Sequence, residues 1–185
     1  RARDAELVDC SNTIVMPGFV DAHRHTWRSL FRNAGVDPGG APRYASGFAA
    51  NHEPDDVYAG VLIGLVGAAA TGTTTVVDWA DIPDSPAHLD AALQAHADAG
   101  LRTVVVHPSD RSTPPDALGS RFAAGGLSRL AIGGSDPTSS NLEEFATQVA
   151  TARSLGLRLH AHAGTGASRG AIAALAARCI DPGGC

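Results

Sequence analysis

The chain has 185 residues, 44% of them hydrophobic, which is enough to bury one sizeable core. All 14 basic residues are arginine, acidic residues number 19 and the formal net charge is -5, so no basic surface for a nucleic acid is expected. The cysteines lack the spacing of a zinc knuckle or a disulfide framework, and no apolar stretch is long enough to cross a bilayer. We therefore expect a soluble, cytoplasmic protein without a nucleic-acid or membrane partner.

The first predicted element is a strand over 14–25 that ends in the sequence His23-Arg24-His25. Side chains two residues apart in a strand point to the same face, so both imidazoles can reach one metal ion. Imidazole nitrogen is a common ligand of zinc, and we therefore predict that His23 and His25 are metal ligands of a hydrolase. Asp21 lies on the same face, where it either orients a ligand or is simply a carboxylate of a buried strand or turn.

A long loop rich in glycine, proline and arginine is predicted over 26–52. Trp27 follows the histidine pair closely and is a candidate substrate contact, with a loop-anchoring aromatic residue as the alternative. A helix is predicted over 53–70, because acidic residues and a proline precede an apolar run. The β-branched segment 73–79 is the second predicted strand, and Asp78 near its end either hydrogen-bonds a ligand or substrate or serves in capping and packing.

The remaining elements alternate between helices and strands in the same way. We predict helices over 84–99, 139–156 and 168–178, strands over 101–107, 130–133 and 157–162, and a helical or irregular stretch over 115–126. His107 ends its strand before a proline and is a second candidate substrate contact, with an ordinary loop histidine as the alternative. His52, His88 and His96 fall in predicted loops or helices and are expected to be solvated.

The predicted fifth strand carries a second pair of histidines, His160 and His162. Both lie on one face of a regular strand, but one of them is enough to complete a site with the first pair. His162 lies nearer the carboxyl end of the strand and is the predicted third metal ligand. His160 is expected in the core or in support of a ligand, and Asp78 is the other candidate for such a supporting role.

Five strands separated by helices predict a parallel sheet with right-handed crossover connections. Both an open doubly wound sheet and part of a (β/α)8 barrel satisfy this pattern. Polar residues at the carboxyl ends of several strands favour the barrel, where active sites are built at that end. The fold class is therefore α/β, a partial (β/α)8 TIM barrel of the metal-dependent hydrolase type that comprises about strands 1 to 5.

Three segments carry a resemblance to a known family. They are Pro-Gly-Phe-Val-Asp-Ala-His-Arg-His, Ala-Thr-Gly-Thr-Thr-Thr-Val-Val-Asp and Leu-His-Ala-His-Ala-Gly, in this order. The sequence resembles the amidohydrolase superfamily, most closely its cytosine deaminase and triazine hydrolase branch, over about residues 8–177. The resemblance implies a barrel with one divalent metal ion, zinc or iron, whose ligands are His23, His25 and His162.

The resemblance also implies parts that this chain does not supply. The family has a histidine after strand six and an aspartate after strand eight without counterparts here, so the catalytic residues stay unassigned. A glutamate that many relatives carry three residues after the fifth-strand histidine is Thr165 in this chain. Residues 1–10 are expected to be the remnant of a flanking β-sandwich domain, with its last strand over 5–10. Residues 11–178 would form the partial barrel, and 179–185 an irregular tail that results from truncation.

The function expected from the resemblance is the metal-dependent hydrolysis of C–N bonds other than peptide bonds, by deamination or a related reaction of an N-heterocyclic small molecule. The alternative is a non-catalytic truncated half-barrel that binds metal weakly or needs a partner chain. A half-barrel exposes two edge strands and an apolar interior, so we expect self-association or pairing with a complementary chain.

Overall fold

The structure, a computed structural model, describes residues 5–32, 51–122, 126–138, 140–164 and 166–177. In these residues strands and helices alternate along the chain. They are β1 (Phe19–Arg24), α1 (Pro54–Ala70), β2 (Thr73–Trp79), α2 (Pro86–Ala99), β3 (Arg102–Pro108), α3 (Pro115–Leu118), β4 (Ser128–Gly133), α4 (Leu142–Ser154), β5 (Leu159–His160) and α5 (Ala171–Ala177). Short 3-10 helices cover Thr26–Phe31, Gly119–Arg121 and Gly166–Ser168.

The described strands form one sheet in the order β1-β2-β3-β4-β5, and every neighbouring pair is parallel. Each strand therefore lies beside its predecessor in the chain. A doubly wound sheet would instead reverse its strand order at a switch point. The sheet curls into about half of a barrel, which confirms the predicted partial (β/α) barrel.

Local sequence signals explain where the helices α1 and α2 begin and where α2 ends. The Asp56 side chain accepts a hydrogen bond from the Glu53 backbone at the start of α1, and Pro54 occupies its first turn. Ser85 caps α2, and Gly100 ends it with a left-handed backbone at φ 65°.

Apolar side chains fill both faces of the sheet. On the outer face, α1 and α2 pack against β2 through a cluster that includes Leu65, Val76 and Leu89. On the inner face, Trp79 and Val106 lie with Ala131 in a smaller cluster. Because both faces of the central strands are covered, these strands are continuous apolar runs without alternation.

The segment after β1 packs tightly on α1 at two glycines. A Cβ atom built on Gly60 would lie 2.5 Å from the Trp27 carbonyl oxygen, and one built on Gly64 would lie 2.8 Å from the Thr26 carbonyl oxygen. The Arg24 guanidinium also donates to the Gly64 carbonyl at 3.3 Å. The glycines thus allow the 3-10 helix Thr26–Phe31 to lie directly against the α1 backbone.

Three expectations about element boundaries are corrected. The first strand is shorter than 14–25 and begins at Phe19, and the fifth is only Leu159–His160, so His25 and His162 lie just beyond their strands. Residues 5–10 are described outside any strand. The uncertain stretch over 115–126 is α3 with the short 3-10 helix behind it. The predicted tail over 179–185 lies outside the described residues.

No helix among the described residues is both long and apolar enough to cross a membrane.

Two glycine substitutions in α1 test the close packing of the segment after β1. Gly60→Ala should lower the free energy of unfolding by about 1–3 kcal/mol, because its methyl group meets the Trp27 carbonyl and the Leu30 side chain. Gly67→Ala is the matched control, since open space surrounds that position, and it should stabilise α1 by up to about 1 kcal/mol. Urea unfolding of the two variants measures both effects. Equal stabilisation by both would contradict the contact.

Candidate metal centre

Three histidines that are distant in sequence meet at one end of the sheet. His23, His25 and His162 each place one ring nitrogen so that the three atoms lie within 4.8 Å of one another. The Nε2 atoms of His23 and His162 are 3.2 Å apart. Two nitrogens that bind one tetrahedral zinc ion at about 2.1 Å are separated by roughly 3.4 Å. The spacing and the chemistry of this group therefore fit a single divalent ion.

The three side chains come together because parallel strands end at the same edge of the sheet. His23 lies in β1, His25 directly follows it at the start of the 3-10 helix, and His162 follows β5 by two residues. The β1–β2 register shifts between Asp21 and Arg24, which places His23 within this irregular part of the strand pairing. His23 is exposed whereas the other two are half-buried, so the group opens to solvent on one side.

Trp79 at the end of β2 forms the floor of this group. Its ring centre lies 4.3 Å from that of His162 and 6.0 Å from that of His23, and the side chain is only 8% exposed. A Cβ atom on Gly133 of β4 would lie 3.2 Å from the edge of the indole ring. The glycine thus leaves room for the indole beneath the histidines.

Two carboxylates that the sequence analysis missed contact the outward ring nitrogens of the histidines. Asp81 Oδ1 is 2.9 Å from His25 Nδ1, and Asp136 Oδ1 is 3.4 Å from His162 Nδ1. In metal sites such contacts fix which nitrogen of the imidazole faces the ion. Both aspartates lie shortly after a β-strand, β2 or β4, and this position was the available sequence signal.

The electrostatics favour a neutral His23 imidazole and an ionised Asp81 carboxylate. Burial lowers the pKa of His23, and the neighbouring His25 and His162 lower it further. Burial alone would raise the pKa of Asp81, but hydrogen bonds from His25 and Trp27 and the charge of Arg28 outweigh it and hold that pKa below its ordinary value. Neutral imidazole is the form that binds a metal ion.

Asp78 lies behind the group and holds the segment after β1. Its carboxylate accepts from the Thr26 backbone at 2.8 Å, from the Thr26 hydroxyl at 2.6 Å and from His96 Nε2 at 2.9 Å. All three residues are buried. The expectation that His96 is solvated was wrong, because its face of α2 packs on the sheet and its ring hydrogen-bonds a buried carboxylate.

Among the described residues, the other candidates from the sequence are not members of the three-histidine group. Trp27 is 1% exposed in the cluster between the helices and the sheet, so its side chain offers no surface to a substrate. His107 is buried and donates from Nε2 to the Thr113 carbonyl at 3.0 Å. His160 is half-buried, and burial followed by the charge of Arg158 lowers its pKa. Thr165 lies outside the described residues.

A cavity of about 380 Å³ adjoins His162 at the carboxyl ends of β2 to β4. Trp79 forms an apolar wall, Pro108 and two glycines also line the cavity, and the other lining residues are polar. They include Asp81, Ser109, Asp110, Ser135, Asp136 and Gln148. Its size and its aromatic wall with a polar rim are typical of a small-molecule site.

The chain is similar to known proteins in sequence. The family model described as "Amidohydrolase family" matches residues 14–180. The chain is 28% identical over 99 residues to the 5-methylthioadenosine/S-adenosylhomocysteine deaminase of Acetivibrio thermocellus, covering 52% of this chain and 22% of that protein. It is 30% identical over 108 residues to the 5'-deoxyadenosine deaminase of Methanococcus vannielii, covering 56% of this chain and 24% of that protein. The matched parts span about a quarter of these relatives.

Solved structures share the fold. An atrazine chlorohydrolase from Arthrobacter aurescens in complex with zinc has a TM-score of 0.62 at 20% identity, over 90% of this chain and 44% of its own. An adenosine deaminase from Xanthomonas campestris with bound zinc has a TM-score of 0.58 at 20% identity, over 90% of this chain and 40% of its own. The chain thus corresponds to less than half of each solved structure.

Removal of the Asp78 carboxylate tests the buried hydrogen bonds from Thr26 and His96 that hold the segment after β1. Asp78→Ala should lower the free energy of unfolding by about 3 kcal/mol, because it leaves the buried donors of Thr26 and His96 without their acceptor. Asp90→Ala, which breaks only an exposed pair with Arg121, should cost less than about 1 kcal/mol. Urea unfolding at neutral pH measures both. Similar small losses in the two variants would refute the buried network.

The burial of His107 predicts a pH dependence of stability. Burial lowers its pKa below the usual 6.5. The unfolded chain therefore takes up this proton at higher pH than the folded chain, so stability falls as the pH drops below about 6.5. His107→Gln keeps a donor for Thr113 but removes the titration, so this variant should lose less stability than the wild type between roughly pH 8 and pH 5. Parallel stability curves would contradict this assignment.

Proposed function

The chain belongs to the amidohydrolase family, and from this premise we propose that it is part of a metal-dependent hydrolase that acts on C–N bonds other than peptide bonds. The single observation that carries the proposal is the group formed by His23, His25 and His162 at the carboxyl edge of the sheet. We infer that their nitrogens hold one divalent ion, zinc or iron. The two solved structures described above contain bound zinc, which supports zinc as the first choice.

In such a reaction the residues of this chain would hold the metal ion and orient its histidine ligands. An ion of this kind supplies Lewis acidity and activates a water molecule as the nucleophile. His23 and His162 present Nε2 to the site, while Asp81 holds His25 by the opposite ring nitrogen. The Trp79 indole packs against Val106 of β3, Ala131 of β4 and the His162 ring, so it would exclude water from beneath the three histidines.

We propose an N-heterocyclic small molecule as the substrate and deamination or a related hydrolysis as the reaction. The relatives named above are deaminases of adenosine derivatives, and a structural neighbour is a chlorohydrolase of a triazine. The cavity beside His162 supports this substrate class, because the flat indole of Trp79 suits a heterocyclic ring and the polar rim suits its nitrogen and hydroxyl groups. His107 and His160 stay predictions as a substrate contact and a supporting residue.

The open side of the sheet supports the proposal that another segment or chain completes the barrel. Phe19 and Val20 of the edge strand β1 are 56% and 65% exposed, and Ile63 of α1 is 62% exposed. Apolar exposure of this kind on an edge strand favours pairing. We propose that residues 11–178 form the barrel unit and that residues 1–10 belong to a flanking domain. The barrel would be completed either by self-association or by a complementary chain.

Metal content tests the proposed centre. Protein purified without chelator should contain about one zinc or iron per chain by elemental analysis, because three imidazole nitrogens converge on one point. His23→Ala and His162→Ala should each lose most of this metal. His88→Ala is the control, since its ring contacts Ser85 and the His52 carbonyl away from the group, and it should retain the metal. Equal metal content in all variants would refute the site.

Release of ammonia distinguishes the hydrolase from the alternative of a non-catalytic half-barrel. If self-association of the chain completes the barrel, the metal-loaded protein should release ammonia from at least one amino-substituted purine, pyrimidine or triazine, and His162→Ala should abolish this activity. Size-exclusion chromatography of the same samples reports the oligomeric state. A metal-loaded chain that releases ammonia from none of the three substrate classes supports the hypothesis of a non-catalytic half-barrel.

A further inference from the structure

We propose that Asp81 is the positioning residue of the metal centre: its carboxylate holds His25 with the proton on Nδ1, so that Nε2 is the metal-binding nitrogen. This inference rests on the proposed function, because it assigns a role within the same site. It goes beyond the three histidines by naming a carboxylate that decides the tautomer and the orientation of one of them. Asp81 would act through His25 and would not itself touch the ion.

The contacts of Asp81 leave one arrangement for the His25 ring. Asp81 Oδ1 lies 2.9 Å from His25 Nδ1 and 2.6 Å from Trp27 Nε1, and Oδ2 pairs with the Arg28 guanidinium. Indole and guanidinium are donors only, and an ionised carboxylate is an acceptor only. The His25 Nδ1 must therefore carry the proton in this contact. In the neutral imidazole, which is the form that binds a metal ion, the lone pair is then on Nε2.

Asp81 organises a continuous segment and not His25 alone. His25, Trp27 and Arg28 all belong to the turn directly after β1, and one carboxylate binds all three side chains. A ligand held in this way loses little freedom when it binds an ion, because its ring is already oriented. A carboxylate partner also makes the imidazole a stronger ligand.

The second ligand contact of this type is weaker. Asp136 lies 3.4 Å from His162 Nδ1 and its side chain is 58% exposed, whereas the Asp81 side chain is 18% exposed. Water competes more effectively for an exposed carboxylate, so the contact to His25 should have the larger effect. Asp84, three residues further along the loop, is the matched control because its side-chain hydrogen bonds in the described part of the chain go to Ser112 and not to His23, His25 or His162.

Zinc affinity measures the effect on the centre. The affinity of the purified chain is determined by competition with a chromogenic chelator, with His25→Ala as the reference for loss of the ligand itself. Asp81→Asn and Asp81→Ala should weaken zinc binding by about 10- to 100-fold, whereas Asp84→Asn should stay within about twofold of the wild type. Circular dichroism and thermal unfolding of the metal-free variants verify that they fold. A folded Asp81→Ala variant with wild-type zinc affinity overturns the proposal.

The position of the proton on His25 gives a readout that a general loss of structure would not reproduce. Nitrogen NMR of histidine-labelled, metal-free protein at about pH 8.5 reports the neutral tautomer, and His25→Gln assigns the signal. The proton should lie on Nδ1 in the wild type and in Asp84→Asn, and should move largely to Nε2 in Asp81→Ala. A wild-type His25 with its proton on Nε2 overturns the proposal.

The two measurements separate this proposal from the proposed function. If the wild type and His25→Ala bind zinc equally, the three-histidine centre is wrong, and the positioning of a metal ligand by Asp81 is overturned with it. If His25→Ala loses zinc but Asp81→Ala does not, the centre stands and only the role of Asp81 is overturned. Loss of affinity together with a tautomer shift in Asp81→Ala supports both.

Discussion

The carboxylates at the end of β2 hold the segment after β1, and the rest of the candidate site depends on this connection. Asp78 reaches towards the helices and binds Thr26 in the buried outer layer. Asp81 binds the side chains of His25, Trp27 and Arg28 in the same segment. The segment is thereby tied to the neighbouring strand at two points. Backbone pairing alone would leave His25 beyond the last regular position of its strand.

Small residues make this arrangement possible on both faces of the sheet. On the outer face, Gly60 and Gly64 bring the backbone of α1 close to the turn after β1. On the inner face, Gly133 leaves space for the indole of Trp79 below the histidines. A side chain at these positions would push the turn or the indole away from the sheet, because protein interiors have little free volume. The geometry of the centre is therefore set by packing as well as by hydrogen bonds.

The half-barrel brings together the three histidines proposed as metal ligands, and in the described residues β1 lies at the edge of the sheet. These histidines lie at the ends of the first and fifth strands, which are far apart in sequence, and they meet because the sheet curls. The same curl leaves β1 with apolar side chains in solvent. The matched part covers 44% of one related solved structure and 40% of the other.

Much of the fold was predictable from local pattern. The buried strands read as β-branched apolar runs, the helix starts carry capping residues, and the sequence motifs around His23 and His162 identified the family, because such signals depend on neighbours along the chain. The predictions were poorer at strand ends, such as the short β5, because tertiary contacts decide where backbone pairing stops. His96 was misjudged for a related reason: its burial depends on which side of α2 packs on the sheet.

The sequence by itself determined the order of the elements, the barrel class and the three histidines proposed as ligands. Only the tertiary structure decided that these histidines converge within 4.8 Å, and that Asp81 and Asp136 contact their outer nitrogens. The physical reason is that strand propensity and capping act over a few residues. The partner of a ring nitrogen is instead set by contacts between residues such as His25 and Asp81, which are 56 positions apart in the chain.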